Sequence, residues 1–118
     1  MSIFVISEFA LAIDNYGTDQ EPVRWSDDPQ GGPDAARYVS VELRTFDGQL
    51  TVLICPSISS EIDTVKDLGR VLDEDERVGF GLPIMWTRDP DGGREAAEYL
   101  TVELEDFDGQ PTVVIFPA

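Results

Sequence analysis

Residues 23–57, VRWSDDPQGGPDAARYVSVELRTFDGQLTVLICPS, lie without a gap over residues 84–118, IMWTRDPDGGREAAEYLTVELEDFDGQPTVVIFPA. With Trp25 placed on Trp86 the offset is 61, and about 19 of the 35 positions are identical. Most of the differences are mild, such as Ser26/Thr87, Val39/Leu100 and Ser40/Thr101. Chance does not produce this, so the chain reads as a tandem duplication.

The repeat also decodes its own structure. Val39, Val41 and Leu43 alternate with Tyr38, Ser40 and Glu42, which is the period-two pattern of a strand with one buried face. Leu100, Val102 and Leu104 repeat it. Phe-Asp-Gly-Gln follows in both copies (Phe46 to Gln49, Phe107 to Gln110), and Asp-Gly supplies the positive φ of a tight hairpin turn. The next strand, Thr51 to Cys55 or Thr112 to Phe116, is apolar on both faces and is expected in the middle of a sheet. Upstream, Val23 to Trp25 and Leu82 to Trp86 read as a further strand, closed by a loop of Asp-Pro and paired glycines.

Working outward, a helix is expected before each unit. Val65, Leu68, Val71 and Leu72 follow helical spacing, with Ser59 or Ser60 as the cap. Gly69 weakens that helix by about 1 kcal/mol relative to alanine. Asp73, Glu74, Asp75 and Glu76 carry the wrong charge for a helix C-terminus, so the helix either stops near Leu72 or keeps these acids for another reason. The first helix is expected over Glu8 to Tyr16, capped by Ser7 and closed by Gly17. Ser2 to Ser7 resembles the end of a unit, so the chain reads β-α-β-β, β-α-β-β and a final β. The expected fold is α+β: internally duplicated αβββ units, with two helices on one face of a mostly antiparallel sheet of six to seven strands and pseudo-twofold symmetry. Residues 1–61 and 62–118 form the two repeats of a single domain, because about 60 residues bury too little core alone.

Composition bounds the chemistry. The chain has no histidine and one cysteine, Cys55, which removes the usual zinc sites, Ser-His-Asp and Cys-His catalysis, and an intrachain disulfide. No metal or cofactor is expected. The net charge is −16. A field of that sign repels nucleic acid and anionic membranes and attracts basic surfaces. Lys66 is the single lysine beside seven arginines, a bias that a GC-rich or halophilic genome also produces. No apolar run nears the roughly 20 residues that span a bilayer. Met1 to Ile13 lacks the basic start of a secretion signal, so a cytoplasmic protein is expected.

Each candidate constellation has a plain alternative. Asp106-Phe107-Asp108-Gly109 suggests a calcium loop, but the remaining ligands are missing and it reads better as a hairpin turn. Gly31-Gly32 and Gly92-Gly93 lack the residues of a phosphate loop. Glu42 and Glu103 could pair for glycosidase-type chemistry, but they more simply face solvent on equivalent strands. Cys55 stands where the second copy has Phe116 and is expected to be a buried apolar residue. Trp25 and Trp86 are either core residues or aromatic anchors for a partner. Asp27, Asp28, Asp89 and Asp91 are either solvated turn residues or, if symmetry gathers the loops, an acidic rim. Asp73 to Glu76 is the densest acidic run, and it suits a basic cleft on another molecule.

These features favour a non-catalytic, acidic binding protein that inhibits a basic protein partner, with Trp25, Trp86 and the eight carboxylates above as candidate contacts. Neither direct nucleic-acid binding nor membrane binding is expected, and a homodimer is compatible with the sequence. Glu61 to Leu72, followed by Leu82 to Trp86 and Tyr99 to Leu104, gives a helix-then-strands order that resembles small bacterial immunity proteins of polymorphic toxin systems. The resemblance covers roughly half the chain. It implies a cognate, nucleic-acid-targeting toxin and inhibition by occlusion. The alternatives are a DNA mimic of a phage or plasmid that counters host defence, a structural protein of a halophile, and a small enzyme using carboxylates alone.

Overall fold

A computed structural model describes residues 2–16 and 19–118. Among the described residues, three α-helices, α1 (Ile6–Tyr16), α2 (Gly32–Ala35) and α3 (Val65–Glu74), accompany seven strands. The strands are β1 (Val23–Ser26), β2 (Ala36–Phe46), β3 (Gln49–Ser57), β4 (Ile84–Thr87), β5 (Ala97–Glu98), β6 (Leu100–Phe107) and β7 (Gln110–Pro117). The fold is α+β, and the strands form one sheet in the order β5-β4-β3-β2-β1-β7-β6. The two ends of that order, β5 and β6, are separated in the chain only by Tyr99, so the sheet curls until its ends meet.

The hairpins form where the alternation places them. β2 and β3 pair from Tyr38↔Ser57 to Phe46↔Gln49, and β6 and β7 pair from Leu100↔Pro117 to Phe107↔Gln110. Asp47 and Gly48 have φ of 52° and 82°, and Asp108 and Gly109 have 55° and 87°. Positive φ at both central residues matches the right-handed twist of the flanking strands. β3 lies between β2 and β4, and β7 between β1 and β6. Thr51 to Cys55 and Thr112 to Phe116 are buried throughout, as strands covered on both faces must be.

The sheet is mixed, with two parallel ladders among its antiparallel ones. β1 runs parallel to β7 through Val23↔Val113 and Trp25↔Ile115, and β4 runs parallel to β3 through Ile84↔Val52 and Trp86↔Ile54. The cause lies in the connection: β3 reaches its neighbour β4 only through α3, and a helical crossover delivers the next strand in the same direction. The four remaining ladders are antiparallel.

α1 and α3 are each anchored by an acid in the first turn. Glu8 Oε1 accepts from the backbone N–H of Phe4 (3.0 Å) and Val5 (3.2 Å). Asp67 Oδ2 accepts from Asp63 and Thr64, both at 3.1 Å, and Thr64 Oγ1 accepts in return from Asp67 N at 3.3 Å. The cap of α3 is therefore Thr64, not Ser59 or Ser60. Those serines precede a stretch held extended, in which Val23 N donates to Asp63 O and Pro22 bridges Thr64. Ser59 instead closes its own turn on Glu61 N. α1 begins at Ile6, before the expected Ser7 cap, and Gly17, expected to close it, lies outside the described residues. α3 continues past Leu72 to Glu74.

One apolar cluster packs Phe9 and Ile13 of α1 and Val65 and Leu68 of α3 among Val23, Val39, Ile54, Leu100 and Ile115. Leu53, Cys55, Met85 and Ala97 form a second, smaller cluster from the opposite alternation. At its centre the larger cluster holds Trp25 and Trp86, stacked with ring centroids 5.0 Å apart and planes 3° apart.

Candidate functional site

The acidic residues singled out from the sequence fall into two groups. The loops after β1 and β4 carry Asp27, Asp28, Asp89 and Asp91. The end of α3 carries Asp73 to Glu76. α1 and α3 are tied to the other ends of the same two strands, through the Val5–Pro83 and Pro22–Thr64 bridges. The fold thus gathers the loops together and separates them from the acidic run.

The loops meet directly. Asp27 Oδ2 lies 3.5 Å from Arg88 Nε, which also approaches Glu98 through its NH1 at 3.9 Å. Asp91 Oδ1 receives Arg44 NH2 at 3.1 Å, and Arg44 lies 3.7 Å from Glu42. Asp28 and Asp89 serve their own turns: Asp28 Oδ1 accepts from Gln30 N and Asp89 Oδ1 from Asp91 N, both at 2.9 Å. Ser26 and Thr87 brace the same turns by accepting from Asp28 N (3.1 Å) and Asp89 N (3.0 Å). Arg44 and Arg88 thus pair with Asp91 and Asp27, while Asp28 and Asp89 accept backbone hydrogen bonds and keep their charge.

The glycines of the loops explain themselves sterically. A Cβ on Gly31 would meet Ala35 Cβ at 2.4 Å, and one on Gly92 would meet Ala96 Cβ at 2.6 Å. The next residue in each loop, Gly32 or Gly93, has φ of 61° or 76°. Pro33 and the first-turn Asp34 start the short α2 in one loop, and Arg94–Ala96 makes a 3₁₀ turn in the other. These are compact structural turns where a plain loop was expected.

The tryptophans do not reach the surface. Trp25 is 5% exposed and Trp86 0%. Each indole N–H donates to a backbone carbonyl of the opposite half, Trp25 to Thr87 and Trp86 to Ser26, both at 3.2 Å. Expected as possible partner contacts, they instead act in the core: the stack covers one face of each ring, the indole N–H groups are engaged across the halves, and Arg88 lies 4.8 Å from the Trp86 ring.

At the far end the acids are differently placed. Asp75 is half-buried and held by Arg77, with Nε at 3.1 Å from Oδ1 and NH2 at 2.9 Å from Oδ2. That contact, followed by the Arg77 backbone N–H, keeps its carboxyl below the usual range. Asp73, Glu74 and Glu76 are exposed, and among the described residues no ion pair involves them. The last turn of α3 has no basic residue, although a helix C-terminus favours cations. Asp73 and Glu74 border a cleft between α1 and α3.

The remaining candidates read plainly. Cys55 is 2% exposed, and burial, followed by the nearby Glu42 charge, pushes its thiol up to about 12. Glu42 and Glu103 sit on separate hairpins, opposite Leu53 and Val114. Among the described residues, no three of His, Cys, Asp and Glu are grouped to hold a metal ion, and no helix is long and apolar enough to cross a membrane. Sequence reasoning missed the cleft between the helices. Its only signal was the misplaced charge at the end of α3. No family model, curated protein or solved structure matches the chain.

Proposed function

We propose that the protein is a non-catalytic, acidic binding protein that occludes a basic partner, in the manner of an immunity protein neutralising a nucleic-acid-targeting toxin. The observation that carries this reading is the exposed Asp73, Glu74 and Glu76 at the end of α3, without an ion pair among the described residues, on a chain of net charge −16. Carboxylates there oppose the helix dipole and repel one another. Departures of this kind from local stability rules concentrate at functional positions. Charge complementarity then speeds encounter and selects the partner.

The same reading takes the chain as two copies of one unit related by an approximate twofold. Pairings that recur 61 residues apart support it, since Val23↔Val113 and Ile84↔Val52 exchange the copies. Bonds at the helix entries also recur: Val23 N donates to Asp63 O and Ile84 N to Phe4 O. The helices there are offset by 59, so a two-residue difference lies between each helix and its strand. On this view duplication supplied a rigid scaffold, and the second copy's helix acquired the acidic end.

The experiment is capture from the native host on the immobilised protein, at low and at high salt. The expected result is a basic protein, retained at low salt and released at high salt, whose action on nucleic acid is suppressed in the complex. Recovery of only the chain itself, or of a small molecule, overturns the reading.

A further inference from the structure

Deepening the proposed function, and resting on it, we infer that the cleft between α1 and α3 receives a basic amphipathic helix of the partner protein. The cleft has a volume of about 750 Å³. Its floor is apolar, built by Phe9, Ile13 and Leu68, and Phe80 stands on its lip with 73% exposure. Its borders are charged unevenly. Asp14, Asp19, Asp73 and Glu74 line it beside Lys66 and Arg70, and Arg70 is already held by Asp67 at 3.0 Å.

An apolar floor between acidic borders selects among occupants. A second copy would bring another −16 of charge to the same place, and like charge opposes that contact. An anionic ligand meets the same repulsion. A neutral apolar molecule would leave the border carboxylates without a counterpart. A helix with leucines on one side and lysines or arginines flanking them satisfies both features at once. Such a helix, about 10–12 Å across, lays its apolar stripe into a groove and places its cations on the rims.

The test uses the intact chain and three synthetic peptides of equal length: a leucine/lysine amphipathic helix, a leucine/glutamate helix, and a serine/lysine peptide of the same charge. Binding is read by fluorescence anisotropy, and its place by amide NMR shifts. The leucine/lysine peptide is expected to bind at least tenfold more tightly than either other peptide and to move the Gly69 and Gly79 amides, which line the cleft. Phe80→Ala, and separately Asp73→Asn with Glu74→Gln, should each weaken binding several-fold. Leu11→Ala, exposed on α1 outside the cleft, should leave it unchanged. All four substituted positions are on the surface, so folding is not at risk, and unaltered circular dichroism verifies this.

Absence of leucine/lysine binding, equal binding of either control peptide, or shifts confined to another face overturns the inference. The captured partner separates the two claims. If it binds Phe80→Ala as tightly as the wild type but is weakened by Asp73→Asn with Glu74→Gln, the placement falls and the proposed function stands. If the peptide occupies the cleft but no basic protein is ever captured, the placement stands and that function falls.

Discussion

Trp25 and Trp86 lie face to face, 5.0 Å between ring centroids, and each donates its indole hydrogen to the backbone beside the other. The two halves of the chain are thereby locked at the centre of one core. Trp86→Ala should cost about 3–5 kcal/mol, a large share of the roughly 5–15 kcal/mol typical of a domain. Trp25→Phe and Trp86→Phe should each cost about 1–2 kcal/mol, because a buried carbonyl loses its donor. Chemical denaturation of the single and double variants should show a coupling of about 0.5–1.5 kcal/mol. Simple additivity would mean that the rings do not act as a pair.

The first glycine of each pair should be intolerant of even a methyl group. Gly92→Ala places a Cβ 2.6 Å from that of Ala96, and neither carbon can rotate away. A loss of about 1–3 kcal/mol is expected in thermal or denaturant melts. Gly79→Ala, where no atom lies within 4 Å, should be close to neutral and serves as the control.

How far these features were legible in the sequence depended on whether their cause was local. The hairpins follow from alternation and an Asp-Gly turn within a dozen residues, and both were readable. α3 was readable from Val65, Leu68 and Leu72. The parallel ladders were not, because Val23 finds Val113 and Ile84 finds Val52 far along the chain. The cap at Thr64 depended on its bridge to Pro22, and neighbouring serines offered equal local chemistry. Asp91 and Asp27 looked free because their arginines, Arg44 and Arg88, are 47 and 61 residues away. Of the candidate site, only the run at the end of α3 was visible, as a violation of helix polarity. The cleft beside it needs α1, and nothing local announces that contact.

The start of α3 should make stability sensitive to acid. Hydrogen bonds from the Thr64 and Asp63 backbone, with help from Arg70, hold the Asp67 carboxyl below its usual range. A depressed carboxylate stabilises the fold fully above its unfolded value near ~3.9. That contribution disappears as pH falls through the lower, folded value. Melts of Asp67→Ala should therefore differ most from wild type near neutral pH and converge with it in strong acid. Thr64→Ala should cost about 0.5–2 kcal/mol. A difference for Asp67→Ala that does not change with pH would contradict the charge-based role.

Cys55 should be chemically silent in the folded chain. With its thiol pushed up to about 12 by burial, almost no thiolate exists at pH 8. Alkylation followed by mass spectrometry should leave the native protein unlabelled and label it once after denaturation. Fast labelling of the native form would show that β3 opens readily.

Asp73 and Glu74 should trade stability for binding. Asp73→Asn with Glu74→Gln removes two charges from the wrong end of α3 and should raise the Tm by roughly 1–5 °C. The same variant should hold a basic partner less tightly. An unchanged or lower Tm would remove the reason for assigning these residues a role beyond the fold.

The proposal that this chain silences a basic protein is tested most directly on the captured partner itself. Its activity on nucleic acid is measured with one equivalent of the chain across a series of salt concentrations. Full inhibition at low salt, fading as salt rises and weakened by the Asp73 and Glu74 substitutions, is the expected result. A partner that stays fully active, or one inhibited equally at every salt concentration, would contradict it.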